Sequence, residues 1–297
     1  MPTRMEPTVA APTAAHTVPR ALVLEPTWRP APGATLVLLN SLAADDRAWH
    51  PFGAEGAAVV TYPGHGGRTR RAGWTHQELA DEVVAEVAGP LDVVGVGLGG
   101  LVGLHLLVRH PDRVRSAVLA CGGDAGADPV RAPAIERAAT ARATAALDSG
   151  MGAVEQDTLR RWFTPLAVRT DHPGVQYARN LLRDTDSAAW ADSWLSLARS
   201  PLPTEQQVAA IDCPVTVVAG MHDRSTGFDG RQRLHRLIPR SRLEIVGGPH
   251  LMHLERPENL RASVVRHLAW RQAGERVEHA IASPGRPDAA TGLRGFG

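Results

Sequence analysis

Two side chains with complementary acid–base chemistry each stand just past a short apolar run: Asp223 in AGMHDRS (219–225) and His250 in GGPHLMHLERP (247–257). An aspartate after one strand and a histidine after a later one suit an orienting acid and a general base, since a sheet delivers both to one end. A third stretch, LDVVGVGLGG (91–100), admits two chemistries. As it stands it contains G-x-G-x-x-G, from Gly95 through Gly97 to Gly100, the phosphate-cradling turn of a dinucleotide site. With serine at 97 it would read G-x-S-x-G, the strained strand-to-helix turn that presents a nucleophile.

A dinucleotide turn belongs in the first strand–helix unit, with an acidic residue about 20 positions on, at the end of the next strand. Here about three apolar runs come first, the next run ends in Leu119, Ala120 and Cys121, and Asp124 follows too late. The nucleophile turn instead asks for a loop that donates an N–H after an early strand, an acid after a later one and a histidine after the last. LLNSL (38–42) supplies the first through the amide of Leu42, and Asp223 and His250 follow in order. Leu98, directly after Gly97, would give the second amide of an oxyanion hole, and YPGHGGR (62–68) adds a glycine-rich turn.

The elements that must position these residues are legible as an alternation. Strand-like runs occur at 20–26, 34–40, 57–63, 91–97, 115–121, 214–220 and 241–247. Helical stretches fit between them at 75–88, 99–110, 229–237 and 257–272. Near-continuous Val/Leu runs alternating with helices predict a mostly parallel α/β sheet covered on both faces. The rhythm breaks over 123–210, rich in Ala, Arg and Trp, which reads as a helical cap inserted between core halves at 20–122 and 211–272. Residues 1–19 and 273–297 are expected to be disordered tails.

Composition removes several functions. Of 297 residues, 32 are basic and 31 acidic, so no net field favours nucleic acid or an anionic membrane. Every basic residue other than histidine is arginine, which excludes Schiff-base, pyridoxal and P-loop lysine chemistry. Two cysteines, Cys121 and Cys213, are too few for a disulfide scaffold or a zinc site, and no apolar stretch resembles a signal or a membrane span. The expectation is a cytoplasmic protein, monomer or homodimer, that acts on a small molecule without cofactor or metal.

The stretches NSLAADDRAW (40–49), RHPDRVRSAVLAC (109–121), RWFTP (161–165), CPVTVVAGMHD (213–223) and HLMHLERPENL (250–260) make the specific resemblance. Over roughly 20–270 the chain resembles a 3-oxoadipate enol-lactonase of the α/β-hydrolase superfamily, which implies that fold with its inserted cap. By that resemblance Asp223 and His250 match the family's acid and base, and Leu42 and Leu98 its oxyanion amides. Its nucleophilic serine falls on Gly97. A family arginine at the cap falls on Arg137, although the tryptophan expected three residues earlier is Ala134.

Glycine at 97 closes acyl-enzyme catalysis at that position, while oxyanion stabilisation and binding alone can retain about 10³–10⁴ in rate over water. Four readings stay open. His250 with Asp223 acts as a base on water or substrate, for lactone hydrolysis or for elimination, isomerisation or cyclisation in a biosynthetic step. The chain is a non-catalytic small-molecule binder. Another nucleophile, Cys121 or Ser41, has taken over. Or the glycine is an introduced substitution. Ser41, Arg137, Trp162 and Cys121 are the expected substrate contacts, with Arg142, Arg160 and Arg161 as further cap arginines able to clamp a carboxylate. Trp49, Trp162 and Phe163 read first as packing residues, His253 as part of a solvated helix start, and His65 as a shaper of its turn.

Overall fold

A computed structural model describes residues 33–53, 56–125 and 132–282, with side chains to Gly274. Among the described residues there are six strands: β1 (Thr35–Leu39), β2 (Ala58–Val60), β3 (Leu91–Val96), β4 (Val114–Ala120), β5 (Val215–Gly220) and β6 (Ser241–Val246). They form one sheet in the order β2-β1-β3-β4-β5-β6, and every pairing is parallel. Each corresponds to a run read from the sequence; the run at 20–26 lies outside the described residues. All six residues of β3 are buried, as expected of a central strand with helices on both faces. The structure is thus the expected α/β architecture, a mostly parallel sheet flanked by helices.

The helices follow local chemistry. In α1 (His76–Glu86) the Thr75 side chain accepts from the Glu78 amide while Glu78 reaches back to the Thr75 amide, a reciprocal cap that fixes the start. α2 (Leu98–Arg109) carries almost wholly buried Leu, Val and Gly and packs on β3 and β4. Between β4 and β5 the described residues form six helices: α3 (Ala132–Ser149), α4 (Met151–Trp162), α5 (Pro165–Arg169), α6 (Pro173–Asp184), α7 (Ser187–Arg199) and α8 (Glu205–Ala209). No strand interrupts them among the described residues, and α3 packs chiefly along α7.

After β5 come α9 (Phe228–Leu237), β6, the short α10 (Met252–Glu255) and α11 (Pro257–Ala282). Helix α11 runs ten residues past the end expected from the sequence, which corrects the start of the predicted C-terminal tail. Gly274 lies inside α11, and glycine inside a helix costs only about 1 kcal/mol. The flanking RQA and ERVEHAIA are good helix formers and carry the helix through. Residues 1–32 and 283–297 lie outside the described residues. Among the described residues no helix is long and apolar enough to cross a membrane.

Strand order places the site. β2 lies to one side of β1 and β3 to the other, so the connections part at the carboxyl ends of β1 and β3. Such a divergence opens a crevice in any wound α/β sheet.

Candidate active site

The carboxyl ends of five strands carry the residues singled out above. β1 runs into Asn40, Ser41 and Leu42, β3 into Gly97, β4 into Cys121, β5 into Asp223 and β6 into His250. Gly97 is the junction between β3 and α2, with φ +59° and ψ −115°, a conformation that disfavours any side chain. Its amide donates to Ala120 O at 2.9 Å and its carbonyl accepts from Gly100 at 3.0 Å, which closes the turn. Gly99 is required for a different reason. A Cβ there would stand 2.1 Å from the carbonyl oxygen of Leu39, so α2 can approach β1 only without a side chain. The decapeptide is therefore a sharp strand-to-helix turn with glycine at its apex.

His250 addresses that apex. A Cβ on Gly97 would lie 3.0 Å from His250 Nε2, and 3.6 Å from the Cβ of Ser41. The other imidazole nitrogen, Nδ1, pairs with Asp223 Oδ2 at 3.2 Å. Asp223 is itself held by the amides of Ser225 (2.7 Å) and Thr226 (3.1 Å) and by the Thr226 hydroxyl (2.5 Å). Burial opposes its charge, but His250, Thr226 and Ser225 together outweigh burial and hold the carboxyl well below the usual carboxylate range. Asp223 is therefore held as a carboxylate acceptor, which favours the His250 tautomer that carries its proton on Nδ1. Nε2, facing Gly97, then bears the lone pair.

Cys121 ends up beneath this pair. It has φ +51°, is fully buried, and presents Sγ with the His250 and Asp223 ligand atoms inside a 4.8 Å cluster. Burial, and next the Asp223 charge, push the thiol well above its ordinary range. It is a protonated neighbour of the acid, which removes the basis for reading it as a replacement nucleophile or as a surface that substrate touches. The same protonated thiol, beside Asp223 oxygens already accepting from Ser225, Thr226 and His250, makes the trio a hydrogen-bonded cluster poorly suited to a metal.

On the β1 side, Ser41 and Leu42 belong to a turn closed by the Ala44 amide on Ser41 O at 3.2 Å, with Ala43 at φ +67°. Ser41 Oγ is buried without a protein partner among the described residues, beside the Gly97 apex. Leu98 is the first residue of α2, so its amide is one of those a helix leaves unpaired at its start. The asparagine of the NSL loop is structural: Asn40 Oδ1 accepts from Trp49 Nε1 at 2.8 Å, and its carbonyl accepts from the Tyr62 hydroxyl at 2.7 Å. His253 is not solvated as its position suggested. It is fully buried with its ring centroid 4.9 Å from that of Trp49, and burial pushes its pKa to about 3. The helix start faces inward, which spacing alone does not reveal.

The insertion sits directly on the acid and base loops. The carbonyl of Arg161 accepts from Ser225 Oγ at 3.3 Å, and that of Trp162 accepts from the Leu251 amide at 3.1 Å. Thr164 donates through N and Oγ1 to the two oxygens of buried Glu255, at 2.9 and 2.7 Å. RWFTP and HLMHLER are thus in direct contact. Trp162 itself is buried against Trp190, a packing role rather than an open contact face. His65 reaches Ser193 on α7 at 2.8 Å, fastening the glycine-rich turn to the insertion. Arg137 is exposed on α3, and no described contact links it to the site. Of the four arginines named above, Arg142 and Arg161 are the half-buried ones, a grouping no sequence pattern announces. An open cleft of about 400 Å³ lined by Asp112, Cys213 and Arg240 lies at the opposite end of the sheet, and none of these catalytic-type residues borders it.

A family model described as "Alpha/beta hydrolase family" matches residues 36–263. The chain belongs to this family. It is 30% identical over 208 residues to a pimeloyl-[acyl-carrier protein] methyl ester esterase of Neisseria meningitidis serogroup C, which covers 67% of this chain and 78% of that protein. It is 26% identical over 234 residues to 3-oxoadipate enol-lactonase 2 of Acinetobacter baylyi, covering 75% of this chain and 84% of that one. Among solved structures, the enol-lactonase from Burkholderia xenovorans LB400 superposes with a TM-score of 0.68 at 25% identity, over 80% of this chain and 92% of that one. Its relatives thus include an esterase and an enol-lactonase, and the structural likeness to an enol-lactonase covers 80% of this chain.

Proposed function

We propose that the chain is an enzyme of this family that works without an acyl-enzyme, with His250 as general base on a small ester, lactone or related carbonyl compound. One observation carries the reading: His250 Nε2 lies 3.0 Å from where the first side-chain atom of residue 97 would stand, while Nδ1 is engaged by ionised Asp223. A base so oriented delivers its lone pair to whatever occupies the elbow, either a water that attacks the carbonyl or an acidic C–H of the substrate. Negative charge that develops on the carbonyl oxygen falls to the amides of Leu42 and Leu98, at the two strand ends that border the crevice. The insertion, as a cap, roofs the site through α4, and the partner is a small molecule. Esters and lactones are favoured because the chain's relatives include a methyl ester esterase and an enol-lactonase.

The test is hydrolysis of 3-oxoadipate enol-lactone and of simple methyl esters by the purified protein and by His250→Ala. Turnover that falls by at least about 10³ in the variant supports the base. Equal turnover in both proteins refutes it. Gly97 also favours a second reading, a binding protein that has kept the hydrolase pocket; saturable ligand binding without turnover on any of these substrates would select it.

A further inference from the structure

The loop that carries the Leu42 amide is tied down at both ends. At its start, Asn40 is fixed by Trp49 and Tyr62. At its far end stands Asp45, whose side chain is only 8% exposed. Between them Ala43 has φ +67°, a left-handed conformation that alanine disfavours and keeps only where its surroundings impose it. The loop also borders the elbow, since the Cβ of Ser41 lies 3.6 Å from where a Cβ of Gly97 would stand. A shift at Asp45 is therefore a shift of the Leu42 amide relative to the apex that His250 addresses.

Asp45 is gripped by a residue 132 positions away. Tyr177, on α6 of the insertion, donates its hydroxyl to Asp45 Oδ1 at 2.9 Å and accepts from the Asp45 amide at 3.5 Å. One hydroxyl thus spans the side chain and the main chain of the same residue. Arg47 completes the set. Its amide donates to Oδ1 at 3.0 Å, its Nε and Nη2 donate to Oδ2 at 2.9 and 2.5 Å, and its Cζ lies 5.9 Å from the centroid of the Tyr177 ring. Burial opposes the charge on Asp45, but the hydrogen bonds from Arg47 and Tyr177 outweigh it and hold the carboxyl below its ordinary range. The glycine-rich turn closes in as well, for a Cβ on Gly66 would stand 3.1 Å from the Cβ of Asp45.

The geometry points to Tyr177 as a positioning residue for the oxyanion amide of Leu42, acting from the insertion through Asp45. Arg47 belongs to the same stretch of chain as Asp45 and moves with it. Tyr177 holds Asp45 from outside that stretch, so the amide is in place only while α6 is seated. The inference rests on the base reading above and adds that the oxyanion hole is set by the insertion and not by the core alone. An amide misplaced by about 1 Å forfeits up to about 10² in rate, which is the scale on which such a clasp matters.

The experiment is hydrogen–deuterium exchange of the full chain, read by mass spectrometry, alongside kinetics. Tyr177→Phe removes one oxygen and leaves the ring beside Arg47. It speeds exchange in segment 40–48 about tenfold or more, while segments 91–100 and 215–223 exchange as in the parent. Asp45→Ala loosens the same segment, and adding Tyr177→Phe to it changes nothing further, because the tyrosine acts through the aspartate. On the ester or lactone turned over fastest, Tyr177→Phe lowers kcat about tenfold or more with KM within about twofold. Its preference for that substrate over the thiono analogue also shrinks, since sulfur is a weak acceptor and gains little from the hole in either protein. Unchanged exchange in 40–48, a uniform rise across all segments, or additive effects in the double variant would overturn the clasp. Faster exchange with unchanged kcat, or equal losses on the oxo and thiono substrates, would overturn its role at the oxyanion. Failure of the base is read separately, as equal turnover in the parent and His250→Ala, and leaves the exchange result standing.

Discussion

Gly97→Ser restores a hydroxyl at the apex of the elbow, and the structure sets both its cost and its gain. The backbone there, at φ +59° and ψ −115°, is one that side chains avoid, at a cost of about 1–3 kcal/mol. The new Cβ would meet His250 Nε2 at 3.0 Å, so the imidazole must yield by a few tenths of an ångström. A hydrogen bond from the new Oγ to Nε2 returns about 1 kcal/mol. The net loss is about 0–2 kcal/mol, a fall of up to roughly 8 °C in melting temperature for a domain of this size. In exchange, Oγ acquires a general base already oriented by Asp223, which is what activates a serine. Thermal melting and intact-mass measurement after a fluorophosphonate probe read the two sides separately. The variant should melt lower than the parent and take up one phosphonyl group that His250→Ala, made in the same background, prevents. A folded Gly97→Ser protein inert to the probe would refute the placement of the base, and a raised melting temperature would refute the strain at 97.

Two further outcomes follow from the same coordinates. His65 and His105, with pKa values lowered to about 4, and His76, His253 and His267, lowered to about 3, are all held neutral by burial. Because each folded value lies below the unfolded one of about 6.5, their contribution is complete above that pH and is lost as pH falls toward 3–4. Together they remove about 7 kcal/mol at about pH 5.5, comparable with the whole stability of an ordinary domain. The urea midpoint should drop steeply between neutral pH and that point, and a flat profile would contradict it. Gly99→Ala sets a Cβ 2.1 Å from Leu39 O, backbone against backbone, and should cost about 3 kcal/mol or more in chemical denaturation, with a near-neutral result refuting the close approach.

Much of this was readable before any coordinates. The order of Leu42, Gly97, Asp223 and His250 along the chain implied that they meet, because parallel strands deliver their carboxyl ends to one edge. Apolar runs marked the four central strands because these are covered on both faces, and the two edge strands, only partly buried, follow the same pattern. What escaped was set by tertiary packing. Arg142 and Arg161 are nineteen positions apart, on helices whose pairing depends on where α7 places Trp194. Arg137, favoured by resemblance, lies on the exposed side of the helix that carries Arg142. His253 was misread because helical spacing does not say which face is inward, and Trp49, its partner, is some two hundred residues away. Helix α11 overran its expected end because a single glycine cannot outweigh its good neighbours.

The attachment of α4 to the two loops bears on how anything enters or leaves. Arg161 and Trp162 hold Ser225 and Leu251 through their carbonyls, and Thr164 grips Glu255 with two more hydrogen bonds. A roof hinged freely on the core could lift while the chemistry beneath it stayed armed. On the proposed reading, raising α4 would pull on the segments that carry Asp223 and His250, so admitting solvent and disengaging the base would be a single mechanical event. A reactive intermediate would be exposed to bulk water only when the machinery that made it has already been drawn out of register.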